Sequence, residues 1–268
     1  MSLTGKTKAN SYKDLLQMNN SNNGIDGSNR NVVDGEGTLS ALSMSDNRLI
    51  AQPKSSDTTG ALIVFDMDGN TLFAVDSAND LVKAGIGQNV VNTQYAYFNV
   101  GNTESTNFLD DTHMALLYQS ANYGASGAGY IPAFGTSTDP ATTFTTSEGN
   151  GTRSAELIPV MWRVPDNITL DDIKHFEGAD TATGDTTRMH LMSYTFNTGA
   201  TGALTSGAVV ANTSADNTNA GSEQPYLKDW TIGTADIDAG KVLLCMFKSD
   251  SVNSDYSVSV TVKYHLTG

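Results

Sequence analysis

Between Asn31 and Val100 the chain reads as a train of short strands with no helix between them. Leu39, Leu42 and Met44 lead to a turn at Asp46-Asn47, and Leu49 to Ala51 stop at Pro53. Leu62 to Met67 then turn at Asp68-Gly69 into Leu72 to Val75. Period-two alternation broken by Asp-Gly is the strongest short-range hairpin signal a sequence offers, and about six short strands are expected here. Each hairpin has one narrow apolar face, and hairpins this short are marginal alone in water. Something must cover that face, and the rest of the same chain could do so. A linear run without helices points to copies of the same chain wound side by side. DGEGT near 35 and DGNTL near 69 read as weak echoes of one hairpin unit, without coiled-coil heptads or the short fixed period of a β-helix.

Hydrophobic residues make up 38% of the 268 positions and charged residues 16%, the balance being filled by Gly, Ser, Thr, Asn and Asp. Polar but uncharged residues on alternating strands suit an all-β surface. Disorder would bring higher charge density and fewer aromatics; here Phe, Trp and Tyr reach 8% and run from Tyr12 to Tyr264. The net charge of −14 argues against nucleic acid and against an anionic membrane as partners. No run approaches the eighteen or so apolar residues of a membrane-spanning helix, and MSLTGKTKAN has no apolar core of a signal peptide. The single Cys245 excludes a disulfide within the chain and reads as a small hydrophobe, suited to synthesis in a reducing cytoplasm.

Three regions are expected. Residues 1–30 form an arm, locally basic through Lys6, Lys8 and Lys13, with a hint of helix over Tyr12 to Met18. It is read either as a disordered tail or as a peptide anchor that orders on a larger partner through Tyr12, Leu15, Leu16 and Met18. Residues 31–100 are a short-strand β neck that brings the copies together. Residues 101–268 form a compact β-sandwich head. Its strands are expected at Met114 to Tyr118, Glu156 to Val164, Ile168 to Phe176, Arg188 to Phe196, Lys241 to Lys248 and Tyr256 to Leu266. KVLLCMFK is apolar on both faces and belongs inside the sandwich. Long polar loops around 121–153 and 197–225 suggest Greek-key or jelly-roll connections.

The segments YKDLLQMNNSNNGIDGSNRNVVDGEGTLSALSMSDNRL and GNTLFAVDSANDLVKAG resemble the front end of structural proteins of tailed bacteriophages, marine ones in particular. VPDNITLDDIKHF, DIDAGKVLLCMF and YSVSVTVKYHL resemble the jelly-roll head of such fibre and decoration proteins. The resemblance implies a virion protein, usually a homotrimer, with its arm fixed to a capsid or tail protein and its head outward. Host surface glycan is a further partner it admits.

Few residues stand in patterns that carry chemistry. His113, His175, His190 and His265 show no metal-ligand spacing, and His190 and His265 read as exposed or hydrogen-bonded structural residues. Asp66, Asp68 and Asn70 start like a Ca²⁺ loop, but Thr71 stands where its Gly belongs and Ser77 where its Glu belongs. Asp171, Asp172, Glu177 and Asp180 form an acidic cluster that a polysaccharide depolymerase would use as a carboxylate pair. GASGAGY has neither the strand before it nor the helix after it of a phosphate loop. Trp162 and Trp230 read as core. Tyr123 and Tyr130, in the Gly-rich loop, are the candidates for receptor or sugar contact. No catalytic residue, metal or cofactor is expected; a carbohydrate-binding adhesin module is the first alternative, a depolymerase the second.

Overall fold

The computed structural model of the chain describes residues 16–21, 23–85, 89–100, 109–119, 131–180, 184–213, 217–218, 224–250 and 255–267. The fold is all-β and divides after Val91 into two compact units.

In the first unit β1 (Gln17–Met18), β2 (Arg30–Val33), β3 (Leu39–Met44) and β4 (Leu49–Ala51) form one antiparallel sheet in that order. The strands β5 (Leu62–Phe65), β6 (Thr71–Asp76), β7 (Leu81–Ala84) and β8 (Asn89–Val90) form a second. Short polar side chains that mimic a backbone turn close the hairpins. The Asp34 carboxylate accepts the N–H groups of Glu36 at 2.9 Å and Thr38 at 2.8 Å, and Gly37 takes φ +89°. The Asp66 carboxylate does the same for Asp68 at 2.9 Å and Asn70 at 2.8 Å, and Gly69 takes φ +84°. The repeated unit is therefore DGEGT at 34–38 against DMDGN at 66–70, two residues away from the alignment the sequence suggests. Beyond the turn the register recurs with the same 32-residue interval: Leu42↔Ala51, Ser43↔Ile50 and Met44↔Leu49 become Ala74↔Lys83, Val75↔Val82 and Asp76↔Leu81. Gly69→Ala puts a Cβ on a left-handed residue, so urea unfolding of the first unit is expected to lose about 1 kcal/mol.

The arm does not stay separate up to residue 30. Gln17 and Met18 pair with Val33 and Val32, so the end of the helical pattern that is described is strand. At Gln17 and Met18 the pairing with β2 sets the backbone as strand; Tyr12 and Leu15 of the same pattern lie outside the described residues.

The second unit begins with β9 (Thr93–Val100), β10 (Met114–Ala115) and β11 (Leu117–Tyr118). After helix α1 (Ser154–Leu157) and a 3-10 turn (Ile158–Val160) come β12 (Trp162–Arg163), β13 (Ile168–Asp180), β14 (Thr186–Phe196) and β15 (Leu204–Asn212). The rest are β16 (Asn217–Thr218), β17 (Tyr226–Asp229), β18 (Thr231–Ile232), β19 (Asp236–Ile237), β20 (Val242–Ser249) and β21 (Asp255–Leu266). One sheet has the order β11-β9-β21-β13-β17, and the other β10-β20-β14-β15-β18. Successive strands mostly alternate between the sheets, a jelly-roll-like winding.

The sandwich core packs Phe98, Ile173, Val260 and Val262 of the first sheet against Met189, Leu191, Leu243, Cys245 and Phe247 of the second. The second sheet is buried on its far face too: Met192, Tyr194, Leu244 and Met246 lie beneath Phe134, Phe144, Leu157 and Val160. That is why β20 is apolar on both faces. The other sheet has no such cover among the described residues; it is called here the open sheet, and its partner the covered sheet.

Three expectations change. Residues 93–100 belong to the head, because β9 pairs with β21 from Thr93↔His265 to Val100↔Val258. Its alternation looks like that of the preceding strands, and only a partner far along the chain distinguishes it. Glu156 to Val164 is mostly helical: the Arg153 N–H donates to Glu156 Oε2 at 3.2 Å, and Pro159 opens the 3-10 turn. Finally, the polar stretch 197–225 contains the nine-residue strand β15. Gly207 in that strand brings its backbone against the cover, its N–H donating to the Thr142 carbonyl at 2.8 Å.

Candidate interaction surfaces

In the first unit the feature that stands apart is β5. Leu62, Ile63, Val64 and Phe65 are between 39% and 55% exposed, and β5 is an edge strand whose one partner among the described strands is β6. Four consecutive apolar side chains on an edge with neither Pro nor charge are a template for pairing with another chain, although the β5–β6 register shifts between Val64 and Phe65. Leu39, Leu42, Leu49, Met67, Leu72 and Val82 are exposed as well. Single exposed apolar residues need no explanation, but a concentration of this kind marks an interaction surface.

The open sheet of the head carries a second surface. Tyr97 and Lys174 flank Thr261 in one cross-strand row, and Asn99, Ser259, Phe176 and Leu227 form the next. Tyr95, Tyr97, Phe176 and Leu227 are exposed, and beside them Val100, Phe176, Gly178 and Pro225 help line a shallow, largely apolar cleft of about 410 Å³. These residues were not singled out by sequence reasoning, although the alternation Tyr-Ala-Tyr-Phe in β9 carries the signal.

Leu16 is exposed and Met18 half-buried in β1, while Tyr12, Leu15, Tyr123 and Tyr130 lie outside the described residues. The structure disperses the acidic cluster. Asp171 stands at a bulge and takes His265 Nδ1 at 2.8 Å, and Asp172 sits by Lys174 on the exposed face. Glu177 points into the sandwich and is 2% exposed. There Thr187 of the covered sheet donates to it at 2.8 Å, and His175 Nε2 lies 3.3 Å away. Trp230 Nε1 donates to His175 Nδ1 at 2.8 Å, so the ring proton sits on Nε2 and donates to Glu177. This network ties the two sheets together. Asp180 is in β13, and nothing further is described of its side chain. Among the described residues no group of three or more His, Cys, Asp or Glu is placed to hold a metal ion.

Two histidines far apart in sequence meet on the far face of the covered sheet. His113 and His190 are fully buried, their rings edge to face with centroids 4.9 Å apart. His113 Nε2 lies 2.9 Å from the Ser137 carbonyl, and His190 Nε2 lies 3.4 Å from Asp139 Oδ1. Burial pushes both below the ordinary imidazole range, His190 to about 4, with His113 and Arg188 adding repulsion. His190 is buried, not exposed, with Asp139 as its charged neighbour; His265 is buried and hydrogen-bonded. A polar pocket of about 180 Å³ nearby is lined by Asp111, Arg188, Lys248 and Asp250 among others. Lys248 is engaged by Asp111 at 2.8 Å, and Asp250 accepts from Thr186 at 2.6 Å.

No protein-family model and no curated protein matches the chain. Among solved structures it is similar to the structure of Eiger TNF from S. frugiperda, at 11% identity over 66% of this chain and 94% of that one, with a TM-score of 0.26. So remote a likeness carries no argument about function.

Proposed function

We propose that this chain is a structural virion protein of a tailed bacteriophage, a trimeric fibre or decoration protein. In this reading the N-terminal segment attaches to a capsid or tail protein, the first unit joins the three copies, and the sandwich is exposed for decoration or host contact. Self-assembly rests on one observation, the uncovered apolar edge strand Leu62–Phe65. Apolar burial contributes about 25 cal/mol per Å², and sister chains are the surface always at hand to provide it. The virion assignment is supported by the resemblance of residues 12–49 and 69–85 to the front end of such proteins. Folding of the first unit is then coupled to assembly.

Light scattering tests this. A trimer has a mass of about 85 kDa, three chains of 28.3 kDa each. A clean monomer at micromolar concentration sinks the proposal and favours the adhesin reading, for which Tyr95, Tyr97 and Phe176 offer exposed aromatic faces to a glycan.

A further inference from the structure

The 32-residue duplication of the first unit contains a broken symmetry. In the first copy, β1 lies against β2 with Gln17 opposite Val33 and Met18 opposite Val32. The equivalent positions one repeat later are Leu49 with Phe65 and Ile50 with Val64, which belong to β4 and β5. Among the described pairings, however, β4 lies only against β3 and β5 only against β6. Two strands that the repeat would pair have edges free toward each other's type.

The connecting loop supplies the physical reason. Between β1 and β2 the chain turns through Ser21 at φ +46° and Gly24 at φ +74°. Asn20 Nδ2 donates to the Gly24 carbonyl at 2.7 Å, and Asp26 pairs with Arg30 at 2.8 Å. One repeat later these positions are occupied by Pro53, Ser56, Gln52, Thr58 and Leu62 for Ser21, Gly24, Asn20, Asp26 and Arg30 in turn. Proline is locked near φ −65° and cannot take the left-handed turn of Ser21, and the ion pair has no counterpart. The route that folds β1 onto β2 is closed to β4 and β5 of one chain. The consequence appears in burial. Val32 and Val33, where the pairing is made, are 7% and 4% exposed; their counterparts Val64 and Phe65 are 46% and 55% exposed.

From this we infer that the free edge of β5 takes β4 of a neighbouring copy of this chain, antiparallel, with Leu49 opposite Phe65 and Ile50 opposite Val64. The inference rests on the self-assembly proposed above and names its contact. Both strands are apolar and uncharged, so neither edge carries the Lys or Pro that commonly prevents such pairing. Each copy offers one edge and receives another, a head-to-tail contact that gives a closed trimer when its rotation is one third of a turn.

The register makes the test specific. The Asn19 N–H donates to the Asn31 carbonyl at 3.0 Å, so the adjacent Met18↔Val32 pair, and by equivalence Ile50↔Val64, is a non-hydrogen-bonded pair. Such pairs bring their side chains closest and fall in the range a disulfide can bridge. The variant Ile50→Cys/Val64→Cys, oxidised and run without reductant, is expected to give covalent dimers and trimers that reductant releases, with the buried Cys245 silent. A disulfide confined to single chains, or none in a protein still assembled by light scattering, overturns the inference and leaves self-assembly standing. A wild-type monomer removes both. Should the double variant not fold, Val64→Lys decides: loss of assembly with the head's thermal transition retained supports the contact, and an undisturbed trimer refutes it.

Discussion

Gly207→Ala is expected to destabilise the head by about 3 kcal/mol, the upper part of the range for overpacking a close-packed site. A Cβ at this position would stand 2.4 Å from Tyr194 Cε1, 2.8 Å from Thr142 Cα and 2.9 Å from the Thr142 carbonyl oxygen. Neither neighbour can yield cheaply. The Tyr194 ring is fully buried and its hydroxyl donates to the Ala141 carbonyl at 2.7 Å, and Thr142 meets the new methyl with backbone. For a unit of this size the loss corresponds to a fall of roughly 10 °C in Tm. Gly202→Ala, with nothing within 4 Å of its Cβ position, is the matched control and should change Tm little. Equal Tm values for the two variants would mean that the cover over the covered sheet shifts freely, contrary to the packing of Phe134, Phe144 and Tyr194.

Acid is expected to weaken the head from about pH 6.5 downward, before most of its carboxylates are titrated. The folded chain holds His190 at about 4, against an ordinary value of 6.5, and burial holds His113 low as well. A histidine with a lowered folded value is neutral in the folded state over a range where the unfolded chain takes up a proton. Full stability is therefore present above about pH 6.5 and is lost progressively as the pH falls to about 4. For His190 the loss at the lower end is roughly 3 kcal/mol, and His113 adds to it in the same direction. The groups facing the pair are Arg188 on β14, Lys248 on β20 and Asp139 from the cover. The two cations oppose protonation, and the Asp139 carboxylate favours it without outweighing burial. In the first unit Asp26, Asp34, Asp66 and Asp76 are lowered by hydrogen bonds, so their contribution is lost as the pH falls from the ordinary carboxylate value through their lower folded values, a separate window. Urea midpoints from tryptophan fluorescence at about pH 7.5, 6 and 4.5 should decline, and His190→Leu should flatten the decline. A wild-type midpoint that stays level over this range would exclude the buried pair as an acid-sensitive element.

Much of the local structure could be read from residue order. The hairpins at Asp34 and Asp66 follow from short-range chemistry, a carboxylate that mimics a turn and a glycine that accepts positive φ. The alternation in Tyr256–Val262 of β21 is matched by its burial, with Tyr256, Val258, Val260 and Val262 inward, but it fails beyond, where His265 is buried and Tyr264 and Leu266 are half-buried. The two-faced apolarity of KVLLCMFK correctly placed it inside. What misled was equally physical. Tyr12 to Met18 shows helical spacing, yet Gln17 and Met18 are held by a strand partner. Glu156 to Val164 is apolar enough for a strand, yet Pro159 and the Arg153–Glu156 contact turn most of it helical. β15 hides in low-complexity sequence because its glycine is there for close approach, not for a turn.

The interaction surfaces divide along the same line. That residues 31–100 form short alternating strands with narrow apolar faces follows from the sequence alone, because pattern and turn chemistry act over a few residues. Which of those strands is exposed does not follow. β9 is as alternating as β5, but the partner β21 takes it into the head core, while β5 is left on an edge. The meeting of His113 with His190, the burial of Glu177 away from Asp171 and Asp172, and the open face of Tyr95, Tyr97 and Phe176 likewise depend on pairings between distant segments. Residue order determined the hairpins, their turns and most of the head strands, which are local energies. Tertiary structure decided which faces stay uncovered, because burial is settled only when non-local partners have been assigned.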